Sequence, residues 1–235
     1  MLNEIIKYNS ATGFFVFPEQ LYNKGQERTS DWIVLDNENI LFIECKAKRL
    51  TALSKIDMEI DNQFVKDVIQ NNWFTSATKD NIRNCEKPLT KDAIILGIEV
   101  GKVYKAYDDY ANNKISNLPF DSNKVFRPIL VTLEEWYAGI PDVKNVIIQI
   151  AQSYLNYKSI DATIVDKFPI IIMSASSFTI DFQIMTKHGI NQYYQLKSNN
   201  ELTNEKNIFN FELIKDLFNK ELFEPLTKEI NKTKK

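Results

Sequence analysis

The chain has 235 residues, 44% of them hydrophobic, and 29 Lys and Arg against 31 Asp and Glu give a formal net charge of −2. These values exclude a disordered chain and bulk-charge attraction to nucleic acid, while leaving room for a local basic groove. Two cysteines, Cys45 and Cys85, are too few for a disulfide scaffold and point to a reduced, cytoplasmic setting; no secretory pattern opens the chain and no apolar run is long enough to span a bilayer.

Taken in order, Phe14–Phe17 reads as a strand ending at Pro18, and the polar stretch Tyr22–Arg28 as a loop. Ser30–Asp36 and Ile40–Lys46 read as two strands joined by a tight turn through Asn37-Glu38. A helical stretch follows from Ala52 to Ile82, with Ile56, Ile60, Phe64, Val68 and Trp73 on one side, and Pro88 closes it. Ala93–Val100 and Val103–Tyr107 read as a hairpin turning at Gly101-Lys102, and residues 108–124 as a loop. Val125–Val131 reads as a strand, Thr132–Glu135 as a capping box opening a short helix, and Pro141 as the start of a longer one. Pro169–Met173 reads as a short buried strand, and Ser177 as the cap of a helix stopping at Gly189. Residues 197–206 read as a linker before a last helix that ends near Phe223. The mixture implies an α/β or α+β layer fold, with organised β structure first and more helix later. Residues 1–124 form the expected core; residues 125–235 are its α/β continuation, a helical extension, or part of the same domain.

The chemistry concentrates in Ser30-Asp31-Trp-Ile-Val-Leu-Asp36-Asn-Glu-Asn-Ile-Leu-Phe-Ile-Glu44-Cys45-Lys46. A two-residue turn at Asn37-Glu38 sets Asp31 opposite Glu44. Alternation puts Glu44, Lys46 and Asp31 on one face, with directly paired Cβ atoms roughly 5 Å apart. The remaining hairpin positions are apolar on both faces, as in a sheet covered on both sides. Two carboxylates and an ammonium then meet at the rim of a buried sheet, where a hard divalent cation such as Mg²⁺ would relieve the repulsion. Those are parts for metal-assisted phosphodiester hydrolysis; a salt bridge at a strand end is the competing reading.

The run from Ser30-Asp31 to Glu44-Cys45-Lys46 resembles the signature of the PD-(D/E)xK, or restriction-endonuclease-like, nuclease superfamily, over residues 10–107. Ser30 stands where the family name has proline. The resemblance implies a mixed β-sheet core flanked by helices. It makes Asp31 and Glu44 ligands of Mg²⁺, with Mn²⁺ as substitute, the Cys45 backbone carbonyl a third ligand, and Lys46 the catalytic lysine. It also implies an upstream glutamate, for which Glu4, Glu19 and Glu27 are candidates, and a supporting residue on the following helix. Gln63 is selected there from the row Gln63, Lys66 and Gln70, against the alternative of a solvated face. Lys48 and Arg49 are phosphate-contact candidates. The substrate implied is DNA, in defence against foreign DNA or in repair, and a homodimer would supply two sites for two strands. An inactive module of the same fold that binds nucleic acid or a protein is the alternative function. His188, the only histidine, sits at a helix end and reads as structural.

Overall fold

The computed structural model describes residues 13–47, 58–75, 78–134 and 140–199. Five strands make one mixed sheet in the order β1-β4-β5-β6-β7. They are β1 (Phe15–Pro18), β4 (Trp32–Leu35), β5 (Asn39–Lys46), β6 (Val125–Thr132) and β7 (Ile171–Ser174). A separate two-stranded ribbon, β2 (Leu21–Tyr22) with β3 (Glu27–Arg28), interrupts the stretch read as loop. The helices are α1 (Asn62–Gln70), α2 (Lys79–Arg83), α3 (Pro88–Ala111), α4 (Pro141–Tyr157), α5 (Ile164–Lys167), α6 (Ala175–His188) and α7 (Ile190–Ser198). The fold is thus mixed α/β, a five-stranded mixed sheet flanked by helices. No helix among the described residues is long and apolar enough to cross a membrane.

The β4–β5 hairpin has the register its sequence predicts, with Trp32 opposite Ile43 and Leu35 opposite Ile40. Asp36 fixes the turn: its Oδ1 accepts the Glu38 backbone N–H at 2.8 Å and that of Asn39 as well. Ile33, Val34, Leu35 and Ile40 through Ile43 are all buried, so both faces are covered as the double apolar pattern requires. Beyond the hairpin the sheet is parallel. β6 runs alongside β5 from Asn39↔Val125 to Lys46↔Thr132, and β7 pairs with β6 from Ile129↔Ile171. The chain on either side of position 124 therefore builds one sheet.

One expected element is overturned. Ala93–Val100 and Val103–Tyr107 are not a hairpin but parts of α3, a helix of 24 residues. Pro88 is its first turn rather than the close of the preceding region. The helix lies on β5 and β6 and carries α4 against its outer side. It is apolar on most of its surface for that reason, and an apolar run buried all round has no period that separates helix from strand. Gly97 and Gly101 mark a close approach, not a turn. A Cβ at Gly97 would lie 2.6 Å from Ile150 Cβ, and one at Gly101 would lie 2.6 Å from the Tyr154 ring.

Smaller differences have similar causes. The helix expected over Ala52–Ile82 is two helices, α1 and α2, and Asp61 caps α1 by accepting the Phe64 N–H at 2.9 Å; residues 51–57 lie outside the described set. Ser174, not Ser177, caps α6, its Oγ accepting the Ser177 N–H at 3.1 Å. Gly189, with φ +88°, ends that helix as expected; α7 follows at once and takes in Lys197 and Ser198, the first two residues of the expected 197–206 linker. The short helix expected to start at the Thr132–Glu135 capping box does not begin there, since Thr132 ends β6 and Leu133 and Glu134 form a bend; residues 135–139 and the last helix lie outside the described residues. The chain divides into two compact units between Thr179 and Ile180. In the second unit, the Tyr193 hydroxyl donates to buried Asp181 at 2.7 Å, and Lys197 Nζ donates to the same hydroxyl at 3.2 Å.

Candidate active site

Asp31 directly precedes β4, and the hairpin register continued by one residue sets it opposite Glu44. Its carboxylate turns to the partner strand, where Oδ2 accepts the Cys45 backbone N–H at 2.7 Å. That bond fixes Asp31 beside the Glu44–Cys45 segment without a neighbouring side chain.

Glu44 and Lys46 share one face of β5, and Lys46 Nζ lies 2.7 Å from Glu44 Oε1. Its second partner comes from α3: Glu99 Oε2 stands 3.0 Å away. Glu99 Oε1 is held in turn by Lys102 Nζ at 2.8 Å, one helical turn along, while Arg28 Nη2 lies 3.9 Å from Glu99 Oε2. Burial pushes the Glu44 carboxyl above the usual carboxylate range. Lys46 opposes that shift, and Asp31 and Glu99 reinforce it. Burial also raises Glu99, yet Lys102 and Lys46 outweigh it and leave its carboxyl low. Burial works against the Lys46 ammonium, and Glu44 and Glu99 more than offset it, so Lys46 is firmly charged.

A cleft of about 240 Å³ opens beside these groups. It is walled by the β2–β3 ribbon, the Thr29–Ser30 link, Glu44, the Glu99–Val103 stretch of α3, and Tyr154 of α4. A second charged node borders it. Asp109 accepts from the Tyr22 hydroxyl at 2.7 Å, from Lys105 at 2.8 Å and from Lys114 at 2.9 Å, while Lys105 also meets Glu27 at 3.2 Å.

Of the residues singled out from sequence, Asp31, Glu44, Cys45 and Lys46 converge. Gln63 does not join them: it is exposed on α1 and donates to Asp67 of its own helix at 2.9 Å. Lys66 and Gln70 share that exposed face. Glu19 pairs with Arg28 at 3.0 Å, and Glu27 with Lys105. Glu4, Lys48 and Arg49 lie outside the described residues. His188 is exposed at the end of α6. Besides Glu44, the carboxylate that reaches Lys46 is Glu99, which sequence reasoning passed over. Read as a helix, residues 88–111 would have put Glu99 and Lys102 on one face at i, i+3 spacing.

The donor set suits a hard cation. Asp31 Oδ1 and Glu44 Oε2 have no protein partner among the described residues. The Cys45 thiol is pushed up to about 12 by burial and by Asp31 and Glu44, so it is protonated at neutral pH. Among the described residues no three His, Cys, Asp or Glu side chains gather into a metal-binding group. A cation here would rest on two carboxylates, a carbonyl and water, a shell that fits Mg²⁺ or Mn²⁺ better than Zn²⁺. Comparison with family models, curated proteins and solved structures returns no match for this chain.

Proposed function

We propose that this protein is a Mg²⁺-dependent nuclease of the restriction-endonuclease-like kind, hydrolysing phosphodiester bonds of DNA. The observation that carries the reading is the meeting of Asp31, Glu44 and Lys46 at the end of a buried hairpin, beside a cleft lined by Arg28 and Lys102. The mixed sheet with a long helix after the hairpin agrees with the family the signature resembles.

In this reading Asp31, Glu44 and the Cys45 carbonyl hold the cation, which when bound supplies charge neutralisation at the phosphoryl group and an activated water. Lys46 presents its ammonium to a phosphoryl oxygen or to the attacking water as charge builds at phosphorus. The attacking water releases a proton to solvent as its oxygen bonds to phosphorus, the opposite P–O ester bond breaks, and the departing oxygen takes up a proton from solvent. Glu99 keeps Lys46 in place, since Glu44 cannot serve the cation and the ammonium equally. Cytoplasmic defence against foreign DNA or DNA repair is the setting proposed, with a homodimer able to offer one site to each strand.

One observation favours a second reading. Glu44 Oε1 is already paired with Lys46 at 2.7 Å, as in a salt-bridge cluster on an inactive binding module. Incubating the wild type and Lys46→Ala with plasmid, linear duplex, single-stranded DNA and RNA in Mg²⁺, Mn²⁺ or EDTA separates the two. Cleavage abolished by EDTA and lowered at least about a hundredfold by the substitution is expected. Full activity in a folded Lys46→Ala protein would overturn the mechanism, and a wild type inert on every substrate would favour the binding module.

A further inference from the structure

Ser30 combines three properties. It is 2% exposed, its Oγ has no hydrogen-bond partner, and it lines the cleft. A buried hydroxyl left unpaired costs free energy, and such a group calls for an explanation by water, an ion or a ligand. Its position is also rigid. Thr29 Oγ1 accepts the Gln20 backbone N–H at 2.8 Å and donates to the Ser30 carbonyl at 3.1 Å, while the Thr29 N–H donates to the Gln20 carbonyl at 3.0 Å. Ser30 is therefore held at the wall of the cleft by a clamped backbone.

Two cations with donors to spare line the same cleft. Among the described residues Lys102 meets only Glu99, and its side chain is 44% exposed. Arg28 gives Nη1 to Glu19 at 3.0 Å, while Nη2 stays 3.9 Å from Glu99, beyond hydrogen-bond reach. The three carboxylates that line the cleft, Glu27, Glu44 and Glu99, are each engaged by a lysine. A guanidinium fork, an ammonium and a hydroxyl offer several donors to one anion of several oxygens, which suits a tetrahedral phosphate better than a planar carboxylate.

We propose that Ser30, Arg28 and Lys102 form a phosphate subsite that holds a phosphoryl group of the nucleic-acid strand next to the bond cut at Asp31 and Glu44. The proposal rests on the nuclease reading for the identity of the strand, but the binding it describes needs no metal and no cleavage. The phosphate is a terminal monoester or an internal diester, and the probes below tell these apart.

The test is calorimetric titration of the full chain in EDTA with a single-stranded tetranucleotide, once with a 5′-phosphate and once with a 5′-hydroxyl. Ser30→Ala is expected to weaken binding about tenfold, as loss of one hydrogen bond to a charged acceptor does, with an unchanged melting temperature. Lys102→Gln is expected to reduce the slope of log K against log salt by about 0.7, the share of one phosphate contact on a single strand. An effect confined to the phosphorylated probe assigns a terminal phosphate; an equal effect on both assigns an internal one. Ser30→Ala binding like the wild type, or a wild type that binds neither probe, overturns the subsite. If cleavage persists while Ser30→Ala binds normally, only the subsite falls. If binding depends on Ser30 in a chain that cleaves nothing, the subsite stands and the nuclease reading falls.

Discussion

Glu99 Oε2 reaches Lys46 Nζ at 3.0 Å from a different element of the fold, so the ammonium is anchored by α3 as well as by its own strand. Glu99 is itself held by Lys102 at 2.8 Å, which makes it a braced anchor. Glu99→Gln keeps the shape but replaces an ion pair with a weaker contact and lets Lys46 swing toward Glu44. The expected result is a fall in kcat of between about tenfold and a hundredfold, with KM changed little, because a misplaced group weakens transition-state contacts first. Steady-state cleavage kinetics in Mg²⁺ would check this, and a rise in KM at constant kcat would assign Glu99 to substrate binding instead.

Asp109 governs the acid side of stability near the cleft. Burial pushes its carboxyl up, but Lys105, Lys114 and the Tyr22 hydroxyl more than offset this and hold it below the ordinary value of 3.8. A lowered carboxyl contributes stability that is present above the ordinary value and is lost as pH falls through the folded one. Asp109→Asn is therefore expected to cost about 1–3 kcal/mol at pH 7 and progressively less in acid. Urea denaturation from pH 7 down to the acid limb would measure it. A difference between wild type and variant that stays constant with pH would show that packing, not charge, is what Asp109 supplies.

The hairpin was legible in the sequence because two local rules agreed. The Asp36–Asn39 turn set the register, and unbroken apolar residues on both strands demanded burial on both faces. Together they placed Asp31 opposite Glu44. What was not legible came from tertiary contact. Residues 93–107 are apolar because α3 lies between the sheet and α4, and their glycines serve helix packing, so the turn-like Gly101-Lys102 misled. With the helix missed, Glu99 and Lys102 had no face to share, and the charges around Lys46 stayed half seen. Gln63 is the opposite case: its spacing is right for a helix face, and that face is exposed, as the alternative of a solvated face has it.

Gly97 tests the packing that carries Glu99 to the site. A Cβ there would sit 2.6 Å from Ile150 Cβ and 2.9 Å from the Ile147 carbonyl oxygen, and a backbone oxygen cannot swing aside. Gly97→Ala gains about 1 kcal/mol of helix propensity, against an overpacking cost of about 1–3 kcal/mol or more. A net loss of about 1 kcal/mol or greater is expected from the shift of α3 away from α4. Equilibrium unfolding would show it, and a stabilised variant would mean that the two helices separate at little cost.

Cys45 separates a backbone role from a side-chain role in the same residue. With its thiol pushed up to about 12 by burial and by Asp31 and Glu44, the thiolate fraction at pH 8 is about one in ten thousand. A thiol in that state neither attacks nor ligates, while the backbone carbonyl is untouched by substitution. Cys45→Ala is accordingly expected to keep metal-dependent cleavage within about threefold of the wild type, and iodoacetamide at pH 8 to leave folded Cys45 unmodified over the time that alkylates a free thiol. Intact-mass measurement after alkylation, beside the cleavage assay, reads both. Rapid modification at Cys45, or activity abolished by the alanine in a folded protein, would return the sulfur to the chemistry and remove the carbonyl from the proposed ligand set.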